Sequence, residues 1–91
     1  MREDGKKLVE FLKQNFPGYR QIDVSLRGRW TDDDPETYVW EIWVYFDNNS
    51  DPAKQNVRLF ESDLNTLQIR LEAEVASRRV LARLNAPVGA V

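Results

Sequence analysis

The chain has 91 residues and a formal net charge of −2, with 42% hydrophobic and 31% charged residues, no cysteine and no histidine. That length suits one domain, and the composition is that of a folded globular protein, not a disordered one. Disulfides and thiolate chemistry are excluded, as are the commonest metal ligand and the commonest general base.

Charge is unevenly laid out. Residues 1–30 carry seven basic and four acidic groups, residues 31–63 two basic and nine acidic, and residues 64–91 four basic and two acidic. A protein that grips a nucleic-acid backbone usually presents a dominant basic face. Here an acidic middle separates two mildly basic ends. No apolar run reaches the roughly 18–20 residues of a spanning helix, and residues 1–11 lack the uninterrupted apolar stretch of a secretory leader. A cytoplasmic location with no membrane partner is the expectation.

Residues 3–16 read as an amphipathic helix. Leu8, Leu12 and Phe16 recur at i, i+4, with Val9 and Phe11 widening the stripe. Asp4 suits a cap, and Pro17–Gly18 ends the helix. Residues 20–30 alternate as a half-buried strand does. Ile22, Val24, Leu26 and Trp30 fall on one side, with Gln21, Asp23, Ser25, Arg27 and Arg29 on the other. Residues 31–36, TDDDPE, form a polar turn that carries a proline.

Residues 37–47, TYVWEIWVYFD, are the strand around which the rest is organised. Tyr38, Trp40, Ile42, Val44 and Phe46 make one wholly apolar side, and Val39, Glu41, Trp43 and Tyr45 a mixed one. Joined as a hairpin, the two strands are expected to pair Trp30 with Tyr38. That register sets Gly28 opposite Trp40, Arg27 opposite Glu41 and Ser25 opposite Trp43.

Residues 48–56 form a loop in which Ser50 or Asp51 before Pro52 marks a helix start, such as that of a single turn. Residues 56–60, NVRLF, make a short third strand with Val57 and Leu59 inward. The competing reading is a helix unbroken from Pro52; Ser62–Asp63, a fresh helix start, favours the strand. Residues 63–84 are helical. Leu64, Leu67, Leu71 and Val75 mark one stripe, which Ile69, Ala73, Ala76 and Val80 widen. Arginines 78, 79 and 83 near its end suit the helix dipole. Residues 1–84 are read as one α+β domain, an antiparallel sheet of two or three strands packed with two helices, and residues 85–91 as a flexible tail.

Four groups of residues are candidates for function. Trp43 and Tyr45 share a strand face with Ser25, Arg27 and Arg29; if both helices cover the other face, these aromatics form a binding surface. With one helix on each face they are core instead. Asp47, Asn49 and Asp51 have the spacing of a calcium loop, but Pro52 replaces its glycine and Arg58 its closing glutamate. Asp32, Asp33 and Asp34 read as a solvated turn. Arg78, Arg79 and Arg83, with Arg70, are the nucleic-acid candidates.

The order helix–strand–strand–strand–helix resembles that of double-stranded RNA-binding domains. The resemblance lies in element order alone. In that family a lysine-rich start to the last helix grips phosphate, whereas here the equivalent stretch is Glu61-Ser62-Asp63. What the resemblance implies, nucleic-acid binding, would have to rest on the C-terminal arginines.

For catalysis, Ser25 and Ser77 have no histidine to activate them, no glycine-rich phosphate loop exists, and no carboxylate pair stands out. The expectation is a non-enzymatic interaction module without a cofactor, self-associating or binding another protein, a basic one being the partner that the acidic middle suggests, through Trp43, Tyr45, Arg27 and Arg29 or through the edge of the third strand.

Overall fold

The computed structural model describes residues 3–29, 32–33, 37–47 and 50–84. Five regular elements follow in order: α1 (Glu3–Asn15), β1 (Gln21–Arg29), β2 (Thr37–Tyr45), β3 (Val57–Glu61) and α2 (Leu64–Leu84). The strands form an antiparallel sheet in the order β1-β2-β3, so β2 is central. This is the α+β architecture expected from the sequence. Trp30, Asp34, Asn49 and residues 85–91 lie outside the described residues, and with them the expected Trp30–Tyr38 pair and the tail.

Local chemistry sets each boundary. Glu3 and Asp4 both fall in the first turn of α1, so Asp4 sits inside the helix rather than capping it. There the free N–H groups and the dipole favour a carboxylate. Phe16 N–H still donates to Leu12 O at 3.0 Å. Gly18 then takes φ +83°, a left-handed conformation open to glycine, and turns the chain out of the helix. In the β2–β3 connection, the Asp51 carboxylate accepts from Ala53 N–H at 2.9 Å and caps a single 3-10 turn, Pro52–Lys54. Asn56 Oδ1 accepts from Phe46 N–H at 2.9 Å and closes the connection. The chain therefore starts no long helix at Pro52, and β3 forms as read. At α2, Asp63 Oδ2 accepts from both the N–H and the hydroxyl of Thr66, at 2.9 and 2.7 Å. These bonds hold its carboxyl below the ordinary aspartate range.

The core lies on one side of the sheet. Leu8, Leu12 and Phe16 from the α1 region meet Trp40, Ile42, Val44 and Phe46 of the central strand, Val57 of β3, and Leu67, Leu71 and Val75 of α2. Ile22, Val24, Leu26 and Leu59 pack partly against the same cluster. Both helices therefore cover one face. At 1.5 Å per residue α2 is about 31 Å long, and β2, with nine residues at about 3.3 Å each, is about 30 Å. Helix and strand match in length, and Trp40, Ile42, Val44 and Phe46 are buried beneath the helices, whereas Tyr38 at the far end of the same side stays 55% exposed.

Two expectations need correction. Leu26 pairs with Trp40, Ser25 with Glu41, Arg27 with Val39 and Gly28 with Tyr38. The register is thus two residues away from the expected one. A two-residue slip returns every side chain to its own face, so alternation alone cannot distinguish the two registers. The other correction concerns α2. Ile69, Ala73, Ala76 and Val80 do not widen the buried stripe; all four are exposed, on the side of the helix away from the core.

Leu71 is fully buried within this cluster. Leu71→Ala is expected to destabilise the domain by about 2–5 kcal/mol, the range for truncating a buried leucine. Ala73→Ser, on the opposite side, should change stability by less than about 0.5 kcal/mol; urea unfolding of both variants measures the contrast.

Candidate functional site

Because both helices sit on one face, no element among the described residues covers the other face of the sheet. β2 contributes Glu41, Trp43 and Tyr45 to it, β1 contributes Asp23, Ser25 and Arg27, and β3 contributes Arg58 and Phe60. The aromatic residues there pack on one another. Trp43 stacks on Tyr45 with ring centroids 5.6 Å apart and planes within 6°, and meets Phe60 edge-on at 6.3 Å. The Arg58 guanidinium lies over both rings, 4.9 Å from Trp43 and 4.7 Å from Phe60. Offset aromatic pairs and cation–π contacts of this kind each contribute about 0.5–1.5 kcal/mol.

Polar partners fix the orientation of the indole. Trp43 Nε1–H donates to Glu41 Oε1 at 2.7 Å, and Arg27 Nη1 donates to Glu41 Oε2 at 3.1 Å. Arg27 and Glu41 are not directly opposite in the observed register; the pair forms on the diagonal, within reach of two long side chains. Glu41 thus accepts one bond on each oxygen. The indole bond first, then the arginine bond, lowers its pKa below the ordinary glutamate value of 4.5. Asp23, Ser25, Arg27, Glu41, Trp43 and Tyr45 line a shallow, open depression of about 450 Å³. Asp23 and Glu41 against Arg27 and Arg58 leave these residues electrically balanced.

Of the residues expected here, the structure brings Trp43, Tyr45 and Arg27 together. Arg29 ends β1 opposite Thr37, and its side chain is not among those described. Sequence reasoning missed Arg58 and Phe60. Their signal was present: with Val57 and Leu59 inward, residues 58 and 60 must point outward, beside Trp43 across the β2–β3 pair.

The three C-terminal arginines diverge. Arg78 is buried. Its guanidinium donates to Ala53 O at 3.0 Å, to Gln55 O and to Glu74 Oε1 at 3.0 Å, and lies 5.4 Å from the rings of both Phe16 and Phe46. It pins α2 to the β2–β3 connection. Arg79 is exposed and donates to Asn15 Oδ1 at 3.2 Å, and Arg83 lies exposed in the last turn. Of the residues with calcium-loop spacing, Asp47 pairs with Arg20 at 3.6 Å and Asp51 caps the 3-10 turn. Among the described residues, no group of three or more acidic side chains is placed to share a metal ion.

Fold and face together define a small α+β domain with a stacked aromatic–arginine surface on a sheet face that no described element covers. No family model matches the chain, and no curated protein or solved structure matches it either. Among the described residues, no helix is long and apolar enough to cross a membrane.

Two outcomes follow. A group whose pKa is lowered on folding adds stability above its unfolded value, and that stability is lost as pH falls through the folded one. The thermal-midpoint advantage of wild type over Glu41→Gln should therefore be full at neutral pH and shrink as pH drops below 4.5. A difference independent of pH would show that the indole and arginine bonds do not hold Glu41 as charged carboxylate. Separately, Arg78→Ala strands two carbonyls and should destabilise by roughly 2–4 kcal/mol in urea, against less than about 0.5 kcal/mol for Arg83→Ala.

Proposed function

We propose that the protein is a non-enzymatic interaction module whose uncovered sheet face, centred on Trp43, Tyr45, Arg58 and Phe60, docks another protein. One observation carries the reading: four stacked aromatic and arginine side chains stand on a face that no element of the chain's own core covers. Tryptophan, tyrosine and arginine are the residue types that dominate binding energy at protein interfaces. Here they are already held in place by one another and by Glu41, so little side-chain entropy remains to be lost on docking.

Charge supports a protein partner recognised by shape and aromatic contact. Among the described side chains of the face, two carboxylates and two guanidiniums balance, whereas a nucleic-acid surface needs uncompensated cations. The acidic groups of the middle segment lie mostly elsewhere: Asp32 and Asp33 in the β1–β2 turn, Asp51 at a cap, Glu61 paired with Arg70 at 2.9 Å, and Asp63 at the start of α2. A second, partly enclosed cavity of about 270 Å³ beside Phe16, Phe46 and Val75 is lined by no hydroxyl, and its one carboxylate, that of Asp51, is the cap. That chemistry favours binding over catalysis.

The rival reading, nucleic-acid binding through α2, has Arg79 and Arg83 available while Arg78 is committed to the interior. A pull-down and its purified partner separate the two. Trp43→Ala and Arg58→Ala are each expected to weaken the partner about 10–100-fold, while Arg83→Ala leaves it unchanged. Affinity should change little between about 0.1 and 1 M salt, over which the screening length falls from about 10 to about 3 Å. Retention of the partner by Trp43→Ala, or duplex RNA binding that Arg79→Ala and Arg83→Ala abolish, overturns the proposal.

A further inference from the structure

We propose that the outer ridge of α2 is a self-association surface, on which a second copy of the chain lays its own α2 antiparallel. The ridge consists of the residues that the helix turns away from its core. Ile69 is 66% exposed, Val80 50% and Leu84 76%, with Ala73 and Ala76 exposed between them. From Ile69 to Val80 the steps are four, three and four residues. Alternating steps of this kind keep one narrow seam facing a partner helix. A solitary surface helix carries charged and polar residues there instead.

The ridge is complementary to itself when reversed. With a two-fold axis between Ala73 and Ala76, Ile69 meets Val80 of the second copy, and Ala73 meets Ala76 of the second copy. Small residues at the centre and larger ones at the ends let the helix axes approach to about 8 Å while the ends interdigitate. Charge fits the same arrangement. Glu72 and Arg79 flank the ridge on one side, and reversal brings Glu72 beside Arg79 of the second copy, twice by symmetry. Neither is committed to an ion pair within its own chain among the described residues: Glu72 accepts from neutral Gln68, and Arg79 donates to neutral Asn15. A parallel pairing would instead set Glu72 beside Ser77 and Arg79 beside Leu84 of the second copy, with no opposite charge to meet.

This surface lies on the opposite side of the molecule from Trp43, so the inference does not rest on the sheet-face reading. A contact about 17 Å long, from Ile69 to Val80, sits at the small end of specific interfaces. The dimer is expected with a Kd of roughly 10–100 µM.

Sedimentation equilibrium of the full chain tests it. Wild type should dimerise in that range. Glu72→Arg and Arg79→Glu alone should each be monomeric, because each sets like charges together at both symmetric contacts. The double variant should regain the dimer to within about threefold. An equimolar mixture of the two single variants should form a heterodimer. Circular dichroism of these exposed-site variants confirms that each is folded. A wild-type monomer at about 1 mM, or a dimer that both single reversals leave intact, overturns the proposal. So does a dimer lost in Trp43→Ala but kept in both reversals, which would place self-association on the sheet.

Discussion

Everything in this molecule depends on one-sided burial of β2. Trp40, Ile42, Val44 and Phe46 are all buried, and they alternate with Glu41, Trp43 and Tyr45, which are not. Three strands at about 4.8 Å spacing make a sheet narrow enough for two helices, 8–10 Å apart side by side, to cover most of one face. With both helices on that face, the described residues offer no further element for the other. Two helices and a two-faced strand are equally compatible with a three-layer sandwich. The choice between these layerings turns on the mixed face, whose Glu41 could be buried only at a large desolvation cost.

The uncovered face is nonetheless ordered. Each aromatic is held by a neighbour on the same or the adjacent strand, and the indole N–H and both Glu41 oxygens are satisfied. Among the described residues, no buried side-chain nitrogen or oxygen lacks a hydrogen-bond partner. The same economy holds on the helix side, where Arg78 supplies donors to two carbonyls of the β2–β3 connection. A buried arginine in that position stabilises chiefly because the carbonyls would otherwise lie unpaired. It is the packing centre that joins the end of α1, the connection and α2.

Much of this was legible in the sequence. The alternation of residues 37–47 separated the core face from the open one, and Asp63, Pro52 and Gly18 marked boundaries through chemistry that is local to each. What could not be read depended on spatial neighbours. The hairpin register was ambiguous because two candidate pairings present identical faces. Arg78 looked like one of three equivalent surface arginines, and only the approach of Ala53 and Gln55 distinguishes it from Arg79 and Arg83. Arg58 and Phe60 were hidden by doubt about β3. Once that strand is in place, its pairing of Arg58 with Trp43 assembles the site without further information.

The layering also explains why α2 carries two apolar stripes. Leu67, Leu71 and Val75 answer the sheet, a demand any helix in that position would meet. Ile69, Ala73, Ala76 and Val80 answer nothing within the chain, although polar residues there would be better solvated and equally helical. Between the stripes, polar residues such as Glu72, Arg79 and Arg70 keep its flanks wet. A helix apolar on two opposite sides is a middle layer. A second helix seated on the outer ridge would put sheets outermost on both sides, each with Trp43 and Arg58 turned outward. The two surfaces would then act together: pairing through α2 would present two copies of the aromatic face in opposite directions, so that binding at one leaves the other free.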